Sequence, residues 1–381
     1  MGDHYDAIVL GVGGMGSAAA FELARRGRRV LGLEQFALGH DRGSSHGHTR
    51  IIRKAYYEHP DYVPLVLRAY DRWRDLERRC GRTLLTECGC LSIGRPDGEL
   101  IAGVRASAGL HRLEIEDLDA AGLRRRFPAF QFDDVYVGVL EPSAGFLYVE
   151  DCVRAAVAEA RALGATIRDN EAVLSWKAED AGVAVYTAAG RYTADRLVAT
   201  AGPWAGRMLA DLGLPLTVMR QVVFWFGTQE DAAFRREVFP TFIAETPEGD
   251  YYGLPALNAD GLKVARHYGA PELRDPSEVA RAVTDDDETP VRRFLRAHLP
   301  SADGPRRRAS VCVYTLTPDR HFLIDVHPRR PQVVFAAGFS GHGFKFASVV
   351  GEILADLADD GRTDLPIDRF RLSRFGLPTH S

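Results

Sequence analysis

The chain has 381 residues, 46% of them hydrophobic and 26% charged, an ordinary globular composition that is long enough for two domains. Its 48 basic and 52 acidic residues are interleaved and leave a net charge of −4, which argues against a nucleic-acid-binding protein. The sequence has no long apolar run for a membrane span, no signal-peptide pattern, and 5 cysteines that suit free thiols, so we expect a cytoplasmic protein.

The N-terminal segment predicts a strand, a tight turn, a helix and a second strand: YDAIVLGVGGMGSAAAFELARRGRRVLGLEQF (5–36). Gly11, Gly13 and Gly16 form the G-x-G-x-x-G pattern in the strand-to-helix context that dinucleotide binding requires. Glu34 follows the second strand at the spacing of an acid that accepts hydrogen bonds from a ribose. This favours FAD or NAD over NADP, without separating the two.

Further along the chain, helices are predicted over 60–80 and 149–165, and a strand, QVVFAAG, precedes a helix that begins near Gly343. Residues 216–319 are rich in β-branched and aromatic residues, which suggests an antiparallel sheet with one half-exposed face. We therefore predict the α/β class, with a Rossmann-type domain and an α+β substrate domain on an antiparallel sheet. The predicted boundaries are 1–80, 144–215 and 320–381 for the first domain, and 81–143 and 216–319 for the second.

Lys345 and two arginines stand out among the charged residues. Lys345, in GFSGHGFKFA (338–347), falls in the first turn of a predicted helix, where a cation is unfavourable unless it faces an anion. The alternative is a surface lysine that snorkels to water. Arg50 and Arg53 are three residues apart in TRIIR and would share a face in a helical turn, either at a site or on a solvated surface.

The chain resembles, over nearly its whole length, the monomeric sarcosine oxidase and N-methyltryptophan oxidase family. These are flavoprotein oxidases of secondary amino acids, related in fold to D-amino acid oxidase. The resemblance rests on three stretches: GSSHGHTRIIRKAYYEHPDYVPL (43–65), VCVYTLTPDRHFLID (311–325) and GFSGHGFKFA (338–347). It implies that the Rossmann-type domain binds FAD.

In that family a cysteine in a segment like VCVYT holds FAD covalently, and Cys312 is the matching residue. From composition alone, Cys312 is a small buried core residue. Attachment requires a thiolate, which we expect the nearby cations to help generate: Arg306, Arg307, Arg308 and His321. The alternative for the three arginines is a solvated position without this role. The cofactor-binding residues are expected to be Gly11, Gly13, Gly14, Met15, Gly16, Glu34, Gln35, Ser44, His46, Thr49, Arg50, Val173, Cys312, Gly341, Gly343, Phe344 and Lys345.

The resemblance also implies roles at the reacting end of the cofactor. Arg53 and Lys345 would bind the substrate carboxylate. A guanidinium group suits this role because it can donate two parallel hydrogen bonds to a carboxylate. Arg50 would lie over the flavin near the reacting nitrogen, while Tyr252 and His267 would line the substrate pocket, Tyr252 in contact with the substrate. These three residues, with Lys263, are the expected catalytic set.

Lys263 lies in GLKVARHYG, a predicted strand. By the resemblance it is the lysine beside the flavin where O2 is reduced, since a fixed cation stabilises the charge that develops on oxygen. The alternative is an outward-facing strand residue. The sequence ARH before and at His267 departs from the family pattern and leaves the polarity of that part of the pocket open.

The predicted protein is a monomeric FAD-dependent amine oxidase that uses a small secondary amino acid and O2. Sarcosine is favoured and would give glycine, formaldehyde and hydrogen peroxide. N-methyl-L-tryptophan, pipecolate and L-proline are alternatives, because added methylenes change discrimination by only about 1–3 kcal/mol. Outside the family, an NAD-dependent dehydrogenase or a non-catalytic flavin-binding subunit remain as alternatives. No metal site is expected, since Cys88 and Cys90 form a lone C-x-C.

Overall fold

The computed structural model describes residues 4–229 and 231–377, with residue 231 described by its backbone alone. The helices are α1 Gly14–Arg25, α2 Tyr62–Cys80, α3 Glu99–His111, α4 Ala120–Arg126, α5 Val149–Ala162, α6 Ala205–Met208, α7 Asp285–His298 and α8 Ala347–Asp360. The strands are β1 His4–Leu10, β2 Val30–Leu33, β3 Thr49–Ile52, β4 Leu85–Glu87, β5 Cys90–Gly94, β6 Glu116–Leu118, β7 Val137–Glu141, β8 Gly145–Tyr148, β9 Thr166–Arg168, β10 Val173–Glu179, β11 Gly182–Thr187, β12 Gly190–Ala199, β13 Thr217–Phe226, β14 Thr241–Thr246, β15 Gly249–Leu254, β16 Leu262–His267, β17 Glu272–Leu273, β18 Arg306–Leu316, β19 Leu323–Val326 and β20 Val333–Ala337.

The first sheet has a parallel centre. Its strands run in the order β10-β11-β12-β1-β2-β9, and β20 pairs with β12 and β19. The pairs β1–β12, β1–β2, β2–β9 and β12–β20 are parallel, and α1 packs against α5 and α8. Strand β1 is apolar and buried over Ile8 and Val9, as expected for a strand covered on both faces. The predicted strand–turn–helix–strand unit and the α/β class are confirmed.

The second sheet is mixed but mostly antiparallel. Its order is β17-β13-β16-β15-β14-β5-β7-β6, with β18 paired to β13, and the β14–β5 pair is parallel. The expected half-exposed face is wrong for β13, which is buried on both faces over 221–226. Helix α7 was not predicted within 216–319, although Val291, Phe294 and Leu295 give it an apolar stripe and Thr284 forms a capping box.

A small third sheet corrects the prediction for the TRIIR segment. Strand β3 pairs antiparallel with β8, and β4 pairs with the same strand. Arg50 therefore lies on a strand, opposite Leu147, and Arg53 follows the strand end. The helical-turn expectation is wrong because the β-branched Ile51 and Ile52 complete this ladder.

The helix predicted near Gly343 begins slightly later. Strand β20 ends at Ala337, and a 3₁₀ turn over Phe344–Phe346 precedes α8. The intervening turn is tight, with positive φ at Ser340 (47°) and Gly341 (83°). Lys345 therefore lies in the 3₁₀ turn rather than in the first turn of the α-helix.

The two large sheets use the segments that the sequence analysis assigned to two domains, and we retain that division as a proposal. Parts of the predicted first domain, residues 1–3 and 378–381, lie outside the described residues. No helix in the described part of the chain combines the length and apolarity needed to cross a membrane.

Candidate functional site

A large cavity is lined by residues from both large sheets. The first sheet contributes the turn after β1, the end of β2 and the end of β20; the second contributes Ile243, Tyr252 and residues 313–315. The turn over 338–345 and the segment around Arg53 complete the lining. A large cavity with mostly apolar walls and a few convergent polar groups is the usual form of a cofactor and substrate site.

The glycine turn brings β1 and α1 close together. Gly11 has a φ of +87°, and a Cβ there would press against the Thr200 carbonyl. A Cβ on Gly16 would overlap the carbonyl oxygen of Gly11. The first turn of α1 has no acidic residue, so its N–H groups and the helix dipole favour an anion.

Glu34 directly follows β2 and is buried. Its two carboxylate oxygens accept hydrogen bonds from the Val12 N–H at 2.8 Å and the Phe36 N–H at 3.1 Å. The carboxylate retains lone pairs for a further donor. Its position matches that of a ribose-binding acid.

Cys312 on β18 lies against two nitrogen-bearing side chains. Its Sγ is 2.9 Å from Arg50 Nη2 and 3.4 Å from His46 Nε2. Burial disfavours the thiolate, but Arg50 and His46 outweigh it and lower the pKa of Cys312 to about 6. A pKa of about 6 favours the thiolate, the nucleophilic form of cysteine, at neutral pH.

The side chains that lower the pKa of Cys312, Arg50 and His46, are not the cations that the sequence analysis expected. Arg306 pairs with Glu288 at 2.6 Å, and His321 Nδ1 lies 3.0 Å from the Tyr62 hydroxyl. Arg306, Arg307 and Arg308 lie at the start of β18, whereas Cys312 lies further along the same strand. The expectation is wrong because Arg50 comes from another strand, which local sequence cannot show.

Lys263 is buried with 1% of its surface exposed, so the outward-facing alternative is wrong. Its ammonium donates to the carbonyls of Gly47 and Thr49, both at 2.7 Å. Burial and the nearby Arg50 lower the pKa of Lys263 well below its usual value. The two carbonyls offset part of the cost of burying the ammonium.

Arg53 is held between aromatic rings. The Cζ atom is 4.2 Å from the Tyr56 ring centroid and 4.7 Å from that of Tyr57. Its Nη2 donates to both oxygens of Glu58, at 2.8 and 2.7 Å. Burial raises the pKa of Glu58, but Arg53 outweighs this and lowers it to about 2. Glu58 is therefore ionised at neutral pH.

Lys345 is 6% exposed, so the snorkelling alternative is wrong. Its ammonium donates to the His342 carbonyl at 2.7 Å and approaches the Tyr56 hydroxyl at 3.5 Å. Burial and Arg53 lower the pKa of Lys345 to about 7. With Arg53 it forms what we call the cation pair, two buried positive groups that line the cavity.

Aromatic groups form the wall beside the cation pair. Tyr252 and His267 have ring centroids 6.0 Å apart, and His267 Nδ1 is 3.2 Å from the Tyr314 hydroxyl. Burial lowers the pKa of His267 to about 3, so its imidazole is neutral at physiological pH.

Most predicted site residues line the cavity: Gly11, Gly13, Gly14, Met15, Glu34, Gln35, Ser44, Arg50, Arg53, Val173, Tyr252, His267, Gly341, Gly343, Phe344 and Lys345. Other predicted residues lie behind this lining: Gly16, His46, Thr49, Lys263 and Cys312. Arg50 connects the two groups, since it lines the cavity and contacts Cys312.

Sequence reasoning missed the residues that surround the cation pair. Tyr56, Tyr57, Glu58 and His342 contact one or both cations, yet none was assigned a role. The available signal was two tyrosines followed by an acid within AYYE, directly after Arg53 and Lys54.

Comparisons with known proteins agree with this geometry. The family model described as FAD dependent oxidoreductase (DAO) matches residues 6–357. A monomeric sarcosine oxidase from Streptomyces avermitilis is 43% identical over 375 residues, covering 97% of each chain. An N-methyl-L-tryptophan oxidase from Escherichia coli O139:H28 is 38% identical over 377 residues, covering 97% of this chain and 99% of the relative.

Solved structures share the fold over nearly the full length. NikD, an amino acid oxidase essential for nikkomycin biosynthesis, has a TM-score of 0.86 and 29% identity, with 99% of this chain and 98% of NikD covered. An L-proline dehydrogenase from P. horikoshii has a TM-score of 0.86 at 22% identity, with 99% of each chain covered, and is similar in fold.

Proposed function

The chain belongs to the DAO family of FAD-dependent oxidoreductases, and from this membership we propose that it is a flavoprotein oxidase of secondary amino acids. The favoured reaction converts sarcosine, O2 and water into glycine, formaldehyde and hydrogen peroxide. The observation that carries the proposal is the cation pair, Arg53 and Lys345, buried beside a cavity with a dinucleotide-type glycine turn.

The residues around the cavity fit FAD. Gly11 and Gly16 allow the close turn, the N-terminus of α1 suits a diphosphate, and Glu34 suits a ribose hydroxyl. When bound, the flavin supplies the two-electron acceptor for amine oxidation. The protein supplies binding, orientation and electrostatics.

The cation pair would bind the substrate carboxylate. Glu58 engages Arg53 through Nη2 alone, and the remaining guanidinium donors include Nη1, whose bond to the Ala55 carbonyl is long at 3.3 Å. Lys345 uses the His342 carbonyl and keeps donors for a ligand. Fixing the carboxylate orients the C–N bond and makes the encounter effectively unimolecular.

The wall of Tyr252 and His267 would face the amine. Since the pKa of His267 is about 3, the wall adds no positive charge of its own at neutral pH. Arg50 and Lys345 lower the pKa of a bound amine by like-charge repulsion, which favours the neutral amine that can be oxidised. We assign no side chain as a general base.

Lys263 would act in the reaction with O2. It is a buried amine, close to Arg50, and two carbonyls hold it in place. Positive charge fixed in a dry site stabilises negative charge as it develops on oxygen.

Covalent attachment of FAD through Cys312 is part of the proposal. The low pKa of the thiol, set by Arg50 and His46 against burial, supports it. Acid precipitation of the purified protein should leave the yellow colour in the pellet, and Cys312→Ala should release it to the supernatant. Colour released equally from both proteins would contradict covalent attachment.

We also propose that the protein is a monomer, in line with the name of its relatives, monomeric sarcosine oxidase, and that it acts in the cytoplasm. The N-methyl-L-tryptophan oxidases of similar identity make a bulkier substrate the second candidate. A peroxide assay of the holoenzyme with sarcosine, N-methyl-L-tryptophan, pipecolate and L-proline, each ranked by kcat/KM, decides between them. Peroxide from none of these, with activity only on added NAD, would contradict the proposal.

A further inference from the structure

Tyr56 lies at the centre of the cation pair and is fully buried. Its ring centroid is 4.2 Å from Arg53 Cζ and 5.2 Å from Lys345 Nζ. Attraction between a cation and a ring face is stronger where water is excluded. One aromatic ring therefore stabilises both cations, which repel each other.

The hydroxyl of Tyr56 is also directed towards His342, whose backbone carbonyl lies 3.2 Å from it. His342 Nε2 lies 3.0 Å from the Arg320 carbonyl, which can only accept, so Nε2 carries the hydrogen. His342 is neutral at physiological pH because burial lowers its pKa to about 4. Its Nδ1 is then an acceptor, and the Tyr56 hydroxyl donates to it at 2.6 Å.

The same hydroxyl oxygen faces Lys345. The ammonium donates to it at 3.5 Å and to the His342 carbonyl at 2.7 Å. With its own proton directed to His342, the hydroxyl presents a lone pair to Lys345. The ring and the hydroxyl of Tyr56 thus hold the cation pair from two directions.

We propose that Tyr56 is the positioning residue of the carboxylate site: it fixes the Arg53 guanidinium and the Lys345 ammonium so that both bind one carboxylate. The inference rests on the proposed function of the cation pair. Tyr57 contacts Arg53 but has no contact of this kind with Lys345 among the described residues, so it cannot substitute for Tyr56.

The proposal has a consequence for pH dependence. The charged and titratable groups around Lys345 are Arg53, Glu58, His342, His267, Tyr56, Cys90 and Arg50. The pKa values of Glu58 and His342, about 2 and about 4, place their titrations below the neutral range, while that of Lys345 is about 7. The Tyr56 hydroxyl accepts from Lys345 and so stabilises its ammonium form. Because Tyr56→Phe removes this acceptor, it should lower the pKa of Lys345 and move the pH midpoint of carboxylate binding downward.

Tyr62 provides a matched control. It is also fully buried, and its ring is stacked on that of Tyr56 with centroids 4.6 Å apart. Its hydroxyl pairs with His321 Nδ1 at 3.0 Å instead of with the cation pair. Substitutions at Tyr62 therefore reproduce the packing loss without removing the contacts to Arg53 and Lys345.

The test measures equilibrium binding of acetate to the purified holoenzymes, through the change in visible absorbance, across the neutral pH range. We expect Tyr56→Leu to raise the Kd of acetate about tenfold and Tyr62→Leu to change it less than about twofold. Tyr56→Phe should shift the pH midpoint downward, while Tyr62→Phe should leave it in place.

Acetate binding by Tyr56→Leu that matches the wild type, or equal weakening by Tyr62→Leu, would overturn the proposal. If Tyr56→Leu yields no folded holoenzyme, the Tyr56→Phe midpoint decides, and an unshifted midpoint overturns the proposal. If the wild type oxidises an amine of the panel but the variants give one of these contrary results, only the role of Tyr56 is rejected. Failure of the wild type to oxidise any amine would reject the proposed function.

Discussion

Buried cations are the distinctive residues of this protein. Arg53, Lys263 and Lys345 are each at most 6% exposed. Burying a charge is costly unless hydrogen bonds or opposite charges offset it. Glu58 offsets the cost for Arg53, while backbone carbonyls do so for both lysines. Such an arrangement contributes little to stability, which supports the proposed role of these residues in binding and catalysis.

Carboxylate binding should depend on the protonation of Lys345. Its pKa is lowered to about 7 by burial and Arg53, so the amine is cationic below that pH and increasingly neutral above it. The KM for an amino acid substrate should therefore rise as pH increases through about 7, although a bound carboxylate moves the midpoint upward. Steady-state kinetics at fixed ionic strength, from pH 6 to about 9, measure this.

The control for that prediction is Lys345→Met, which should bind substrate weakly at every pH and lose the titration. Arg53 stays charged across this range because Glu58 outweighs burial and raises its pKa. A wild-type KM that is constant from pH 6 to about 9 would exclude Lys345 as a substrate-binding cation.

Lys263→Met should slow the reaction with O2 far more than anaerobic reduction by substrate. The substitution removes the buried amine and keeps most of the side-chain volume, and one lost electrostatic contribution of this kind costs roughly 10²–10³-fold. Stopped-flow measurement of the two half-reactions separates the effects. Equal slowing of both half-reactions would contradict a specific role in oxygen reduction.

At the scale of elements, the glycine turn depends on contact between α1 and the end of β1. A Cβ at Gly16 would overlap the Gly11 carbonyl and approach Thr200 Oγ1. The helix can only make room by moving away from the strand, which displaces the N–H groups that would bind the diphosphate.

Gly16→Ala should therefore lower FAD content and destabilise the fold by about 1–3 kcal/mol. Gly109→Ala in α3 is the control, because nothing lies within 4 Å of a Cβ there and φ is not positive. The control should be neutral or stabilising by up to about 1 kcal/mol. Chemical denaturation and the visible spectrum measure both variants. Normal FAD content in Gly16→Ala would contradict this account of the turn.

At the scale of the whole molecule, the cavity joins the two large sheets. Leu10 and Ala337 come from the first sheet, while Tyr252 and Val313 come from the second. Cofactor bound there would contact both halves and should stabilise the molecule as a unit.

FAD added to apoprotein of Cys312→Ala, in which no covalent bond forms, should raise the thermal midpoint. At a free concentration of 100 times Kd the stabilisation is about 2.7 kcal/mol. Differential scanning calorimetry with FAD measures it, with riboflavin, which lacks the diphosphate, as the weaker-binding control. Equal shifts with both ligands would argue against a diphosphate site at α1.

Some features followed from local sequence. The apolar run at Ile8, the glycines from Gly11 to Gly16 and the acid at Glu34 predicted the strand–turn–helix–strand unit, because each depends on contacts between near neighbours. The long helix α2 followed for the same reason. Helix α7 was missed because the β-rich composition of its surroundings outweighed a short apolar stripe.

The sequence by itself determined the fold class, the dinucleotide-type turn and, through three motifs, the family. Only the tertiary structure decided which groups meet: Arg50 with Cys312, Lys263 with the carbonyls of Gly47 and Thr49, and Tyr56 with both cations. Hydrophobic periodicity and turn chemistry act over a few residues and can be read from the chain. The charge and pKa of a buried group depend on neighbours hundreds of residues away, which come together only when the sheets pack.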